Sequence, residues 1–231
     1  MVGRMPSIQR REVLGLFVAG ALARRAAAAP APRDARDAVD HIVIGIADLE
    51  SGMARLAALT GVRPAIGGSH PGRGTRNALV SLGGRQYAEL IAPDPAQAGT
   101  KDAHGLSAFS EPRMLMWAAS TTDIDALAAD LRDTPDPGSR VRLDGRVLRW
   151  RTLTVAEPGL VPFFIQWDTG TTHPSTDSPP GCTLEALSFE SPAPAAIEQA
   201  LAVVGISARV AYGSEPRLRA TLQTPKGQIV L

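Results

Sequence analysis

The chain has a single cysteine, Cys182, in 231 residues. It can form no internal disulfide and no cysteine-based metal site, so stability has to come from a packed core. Aromatic residues make up only 4%, which argues against a surface that stacks nucleobases. No apolar run reaches the roughly 18 residues that a membrane span needs. No serine sits in a Gly-x-Ser-x-Gly elbow, so Ser107, Ser110 and Ser188 lend no support to serine-hydrolase chemistry. The stretch Gly67-Gly-Ser-His-Pro-Gly-Arg-Gly-Thr75 is rich in glycine. It lacks the lysine that follows the last glycine of a phosphate loop, and no apolar helix comes after it, so nucleotide binding is rejected.

What is present fits a globular protein: 44% hydrophobic and 20% charged residues. The net charge of +1 hides an asymmetry. Arg4, Arg10, Arg11, Arg24 and Arg25, against Glu12 alone, lie before Pro30, and the remainder carries 19 basic and 22 acidic residues. A mildly acidic body gives no electrostatic reason to expect nucleic acid or anionic lipid.

Residues 1–30 read as an export signal. Arg10-Arg11 precede the apolar run Val13 to Ala23, and Arg24-Arg25 and the small-residue tract Ala26 to Ala31 follow. This is the order of charged region, apolar region and cleavage site. The paired arginines in Ser7-Ile-Gln-Arg-Arg-Glu-Val-Leu resemble a twin-arginine signal. The mature protein is expected to begin near Pro30 and to be periplasmic or extracellular.

The body repeats a strand–helix–strands pattern at intervals of about seventy residues. In each unit an apolar strand leads to a helix cap: His41 to Ile46 then Asp48, Met114 to Ala119 then Asp123, and Thr183 to Phe189 then Ser191-Pro192. The helices show apolar residues at helical spacing, such as Leu49, Met53 and Leu56. Short strands with Gly83-Gly84 and Asp144-Gly145 turns follow. The pattern predicts an α+β fold of βαβββ modules forming curved, cup-like mixed sheets with helices outside. The domain expected is 40–168, with modules at 40–92 and 114–168. A third module at 183–231 packs on it, and 93–112 and 169–182 are connectors.

Five stretches, among them Asp40-His41-Ile-Val-Ile-Gly-Ile-Ala-Asp-Leu, Tyr87-Ala-Glu-Leu-Ile-Ala92, Pro162-Phe-Phe-Ile-Gln-Trp167 and Thr224-Pro-Lys-Gly227, resemble the glyoxalase-like branch of the vicinal oxygen chelate superfamily. That resemblance, over 40–231, implies a divalent metal (Zn, Fe, Mn or Ni) in the cup, held by a first-strand histidine and a last-strand glutamate. His41 and Glu89 match those positions, and Glu89 doubles as the catalytic proton shuttle. The implied chemistry is that of a bacterial lyase, isomerase or dioxygenase on a small oxygenated molecule. The second module departs from the pattern: Met116 falls opposite His41, and Gln166 falls near the counterpart of Glu89. If the third module is the partner instead, Leu184 falls there with Glu185 beside it. His70 or His173 would have to reach in from loops.

The glycine-rich stretch is expected to be a tight loop at the mouth of the cup, with His70, Arg76 and Asn77 reaching the ligand. Trp167 and His173 are expected to wall the pocket. The partners expected are a small-molecule ligand and a second copy of the chain in a homodimer, with no nucleic acid. Two other readings stay open: a metal-free small-molecule binding protein of the bleomycin-resistance kind, and an exported assembly partner that uses the open sheet.

Overall fold

The computed structural model describes residues 31–231 apart from 98, 101, 103 and 156–158. The export-signal reading of 1–30 lies outside the described residues. The first module runs β1 (Val39–Gly45), α1 (Leu49–Thr60), β2 (Ala65–His70), β3 (Thr75–Ser81) and β4 (Tyr87–Pro93). The second repeats it as β5 (Arg113–Ser120), α2 (Ile124–Leu131), β6 (Asp136–Val141), β7 (Val147–Thr154) and β8 (Phe163–Trp167). The third segment has β9 (Thr183–Ser191), α3 (Pro194–Val203), β10 (Val210–Tyr212), β11 (Arg217–Thr224) and β12 (Gly227–Val230).

Modules one and two close into an eight-stranded barrel, in the order β1-β4-β3-β2-β6-β7-β8-β5. Within each module the first strand pairs parallel with the last, β1 with β4 and β5 with β8. The first strands β1 and β5 lie antiparallel along one seam. The opposite seam, β2 against β6, is held by the single pair Ser69 and Val141. The architecture is α+β with strand-rich curved sheets, as the sequence pattern predicts.

The third segment has the same order of elements but different pairing. β9 lies between β10, parallel, and β11, antiparallel, in a separate four-stranded sheet. Leu184 is fully buried in that sheet, within the main core, so it is no counterpart of His41 in the barrel.

Helix α1 starts where Asp48 accepts a hydrogen bond from the Ser51 amide and ends at Gly61 with φ 81°. Such a left-handed terminus suits a residue without Cβ. Asp123 caps α2 in the same way through the Ala126 amide. The third helix begins later than Ser191-Pro192 suggests. Its first residue is Pro194, and Ala193 before it, at φ −132° and ψ 67°, lies outside the helical region, as a residue preceding proline is disfavoured there. Ser191 instead receives the Ala193 amide.

Strand periodicity sorts the side chains. Ile42, Ile44, Val80 and Leu90 face the helices and join Leu49, Met53, Trp117, Ile124 and Phe164 in one core. Their neighbours His41, Val43, Glu89 and Asn77 face the other way, into the barrel.

Two elements differ from the sequence expectation. The Gly67-Gly-Ser-His stretch is a strand rather than a loop, bulged between Ile66 and Gly68. Likewise β6 is longer than the short strand expected before the Asp144-Gly145 turn: it begins at Asp136 and pairs fully with β7 across that turn. Pairing with neighbours overrides the poor strand propensity of glycine and proline here.

Candidate functional site

The site begins at a β-bulge. Between Val39 and His41 the β1–β5 register slips by one residue, leaving Asp40 unpaired. A bulge re-aims side chains, and here Asp40 turns back to its neighbour: its Oδ1 lies 2.8 Å from His41 Nδ1. The same carboxylate accepts from Trp167 Nε1 at 3.1 Å and contacts His173 Nε2 at 3.1 Å. Burial alone would raise the Asp40 carboxyl, but the hydrogen bonds from His173 and His41 outweigh it and hold it at about 2. Asp40 is therefore an ionised acceptor. It holds the His41 ring through Nδ1 and leaves Nε2 free to face the barrel interior.

That nitrogen faces Glu89. His41 Nε2 is 3.6 Å from Glu89 Oε2, and His70 Nε2 is 3.6 Å from Glu89 Oε1. The other nitrogen of His70 bonds Thr75 Oγ1 at 2.9 Å. Asn77 sits between the two groups, its Nδ2 donating to Glu89 Oε1 at 2.5 Å and 3.3 Å from His70 Nε2. Arg140 fixes the amide orientation by donating from Nη1 to Asn77 Oδ1 at 3.0 Å. Burial pushes His70 down, only partly opposed by the Glu89 charge, so it is neutral. For Glu89 burial works upward, but the two imidazoles, Asn77 and Arg140 together bring the carboxyl below its ordinary value. Tyr87 stacks on His41 at 4.6 Å, and burial raises its hydroxyl well above 10, so it stays a neutral wall. The cluster is not sealed, since 11% of the Glu89 side chain remains accessible.

The second module supplies no counterpart to these donors. In β1–β4, Val43 lies opposite Glu89, and in β5–β8 the equivalent Ala118 lies opposite Phe163. Phe163, not Gln166, therefore stands where Glu89 does. Gln166 faces outward, and its Oε1 accepts from the Ile124 amide at the start of α2. Met116 packs with Val43, Ile91 and Leu106, and Phe163 meets the His41 ring at 5.5 Å. One half of the barrel interior is polar and the other apolar.

The structure thus brings His41, His70, Asn77 and Glu89 together, and joins Trp167 and His173 to them through Asp40 and through ring contacts with Trp150 and Tyr87. Arg76 is left out. It is the strand neighbour of Asn77, points to the outer face and pairs with both oxygens of Glu50. Sequence reasoning missed Tyr87, although it shares the Glu89 face at a spacing of two. It also missed Arg140, which sits in Pro137-Gly-Ser-Arg140 with no signal beyond a turn-like composition.

The donor chemistry fits a divalent cation. Two imidazoles offer Nε2 while hydrogen bonds hold their other nitrogens, and a carboxylate joins them. Among the described residues no group of three or more His, Cys, Asp or Glu is arranged so that it could hold a metal ion as it stands. The 3.6 Å gaps are close to the spacing of neighbouring ligands about a tetrahedral ion, and the Asn77 amide is what crowds the place between them. Convergence weighs more here than a closed geometry, because ligating side chains settle around the ion they bind.

Room for the Asn77–Arg140 pair depends on Gly67. A Cβ there would lie 2.2 Å from Asn77 Oδ1 and 2.6 Å from Arg140 Nη1. Gly67→Ala is expected to cost about 1–3 kcal/mol and to weaken ligand binding. Thermal melting and titration calorimetry on the variant check both.

The glyoxalase-like domain profile matches residues 39–205. A structure described as a hypothetical protein from Staphylococcus aureus shares the fold with a TM-score of 0.59 at 17% identity, covering 78% of this chain and 87% of that one. Methylmalonyl-CoA epimerase from Mycobacterium tuberculosis aligns at TM-score 0.38 and 19% identity, over 62% of this chain and 93% of its own. A variant of the Streptomyces coelicolor epimerase, in complex with 2-nitronate-propionyl-CoA, aligns at 0.39 and 21%, over 58% and 96%. Scores this low carry no argument about activity. No curated protein sequence matches the chain.

Proposed function

Because the chain belongs to the glyoxalase-like domain family, we propose that the polar half of its barrel is an active site for proton transfer on a small oxygenated substrate. His41, His70 and Glu89 would hold a divalent ion in it. The observation that carries this reading is the convergence of the Nε2 atoms of His41 and His70 on the Glu89 carboxylate, at 3.6 Å each. A bound divalent ion would supply Lewis-acid polarisation of a substrate oxygen. The chain's own groups do the rest. Asp40 and Thr75 hold the imidazole rings, and Asn77 steadies one oxygen of Glu89. Glu89 then takes a proton from the carbon beside the polarised oxygen, and the electron pair of that C–H bond moves toward the oxygen. Phe163, Met116 and Tyr87 keep bulk water from the substrate. A chain exported through its Arg10-Arg11 segment would do this in the periplasm or outside the cell.

A second reading, metal-free binding of a small molecule, is favoured by two features. Met116 and Phe163 occupy the second module's ligand positions, and the Asn77 amide is wedged at Glu89. Solvent-deuterium incorporation next to the carbonyl of 2-oxo and 2-hydroxy compounds, followed by NMR, separates the two. The proton-transfer reading predicts exchange well above the protein-free rate. Binding without exchange supports the metal-free reading.

A further inference from the structure

Arg140 is a buried cation with no directly bonded counter-ion; Glu89 and Asp177 act on it only through space. It is 3% exposed, and among the described residues it forms no ion pair. Its neighbour Arg142 pairs with Asp144 and Asp177. The one hydrogen bond from the Arg140 guanidinium goes from Nη1 to the neutral Asn77 side chain. Its Nε is buried and has no partner. Arg76 also has an unpartnered Nε, but Glu50 takes both of its Nη groups, so its charge is balanced. A buried guanidinium with an unused edge is costly, and such groups are normally satisfied by something not yet counted. The free edge carries Nε–H beside Nη2, the fork that matches a carboxylate with two parallel hydrogen bonds.

Location gives this edge a purpose. Arg140 enters from the second module, beside the weak β2–β6 seam. Gly67 and Gly68 make room for it: a Cβ on Gly68 would lie 3.2 Å from Arg140 Cγ. Two hydrogen bonds in series, through Asn77, link it to Glu89. An anion on Arg140 would therefore join the hydrogen-bonded network that holds the carboxylate assigned the proton transfer.

We propose that Arg140 anchors a substrate carboxylate, so that this site takes small 2-oxo or 2-hydroxy acids rather than neutral aldehydes, ketones or catechols. The inference rests on the barrel interior being the ligand site, as argued above, and it names the class of ligand. The groups facing the carboxylate would be Arg140 and Asn77 on one side and His70 with the Trp150 ring, 6.2 Å away, on the other.

The test compares pyruvate with pyruvamide, which has the same shape without the charge, by titration calorimetry on the protein as purified. A charge-assisted pair predicts that pyruvate binds about 10-fold to 100-fold more tightly. In Arg140→Gln the preference should fall to near parity, with Arg140→Lys intermediate, and melting curves show whether each variant is folded. The comparison on the unaltered protein stands even if a variant fails to fold. Repeating it after dialysis against a chelator separates Arg140 from a metal as the source of the preference. A preference that survives chelation and vanishes in Arg140→Gln supports the assignment. Equal binding of the two compounds, binding of neither, or a preference intact in Arg140→Gln overturns it. Acid preference without deuterium exchange would keep the Arg140 assignment and contradict the proton-transfer reading.

Discussion

Replacing Glu89 with glutamine is expected to lower deuterium exchange by about 10²–10⁴-fold while the protein stays folded. The substitution keeps the shape and removes the charge and the basic oxygen. Oε1 already accepts from Asn77 and Oε2 faces His41, so an amide can retain the first contact through its carbonyl. What it loses is the ability to accept a proton and to balance a cation. Stability should fall modestly, because the folded protein holds the Glu89 carboxyl below its ordinary value, so its charged form contributes stability that an amide lacks. Metal retention should fall together with exchange. If exchange in Glu89→Gln equals that of the unaltered protein, Glu89 is not the base. Full exchange with Asp40→Asn lost would move the role along the His41 chain.

Replacing Asp40 with asparagine is expected to have the largest effect on stability. Three N–H groups point at this carboxylate, from His41, His173 and Trp167, and Asp40 is 2% exposed. An amide turns one acceptor edge into a donor, leaving buried N–H groups facing N–H groups. The expected loss is roughly 2–4 kcal/mol, or a fall in Tm of about 5–15 °C for a chain of this size. The same residue sets an acid limit in the metal-free protein. Its folded carboxyl lies at about 2, below the ordinary 3.8, so the folded state binds this proton less readily than the unfolded chain does. The stabilisation is full above pH 4 and is lost as the pH falls toward 2, amounting to roughly 2 kcal/mol. Denaturant melts at pH 5, 4, 3 and 2 should show that decline, and in Asp40→Asn this component should be missing. Parallel curves for the two proteins would contradict the assignment.

Much of the fold was legible because it is local. The apolar runs around His41-Ile-Val-Ile and Tyr-Ala-Glu-Leu-Ile mark strands buried on both faces, and Asp48 and Asp123 mark helix starts through their own short hydrogen bonds. The strands less legible, β2 and β6, run through Gly67-Gly68 and Pro137-Gly138, and only pairing with neighbouring strands makes those stretches strand. The same dependence on pairing hides the third sheet's strand order behind a familiar sequence of elements, and puts Phe163 rather than Gln166 opposite Ala118.

At the site, His41 and Glu89 stand out by residue type, a histidine and a glutamate within apolar strands. Naming both Arg76 and Asn77 conflicts with the period of two, which sends adjacent strand residues to opposite faces. Arg140 arrives from the other module, and no spacing in the sequence connects it to Asn77, 63 positions away.

The most direct test of the central claim is the metal content of the mature protein, purified without an affinity tag or chelator and read by mass spectrometry beside His41→Ala and His70→Ala. The convergence of His41, His70 and Glu89 predicts about one divalent ion per chain, lost in both variants while circular dichroism shows them folded. No bound ion after incubation with excess Zn, Fe, Mn and Ni, or retention of the ion in both variants, would contradict it and leave the barrel as a metal-free binding site.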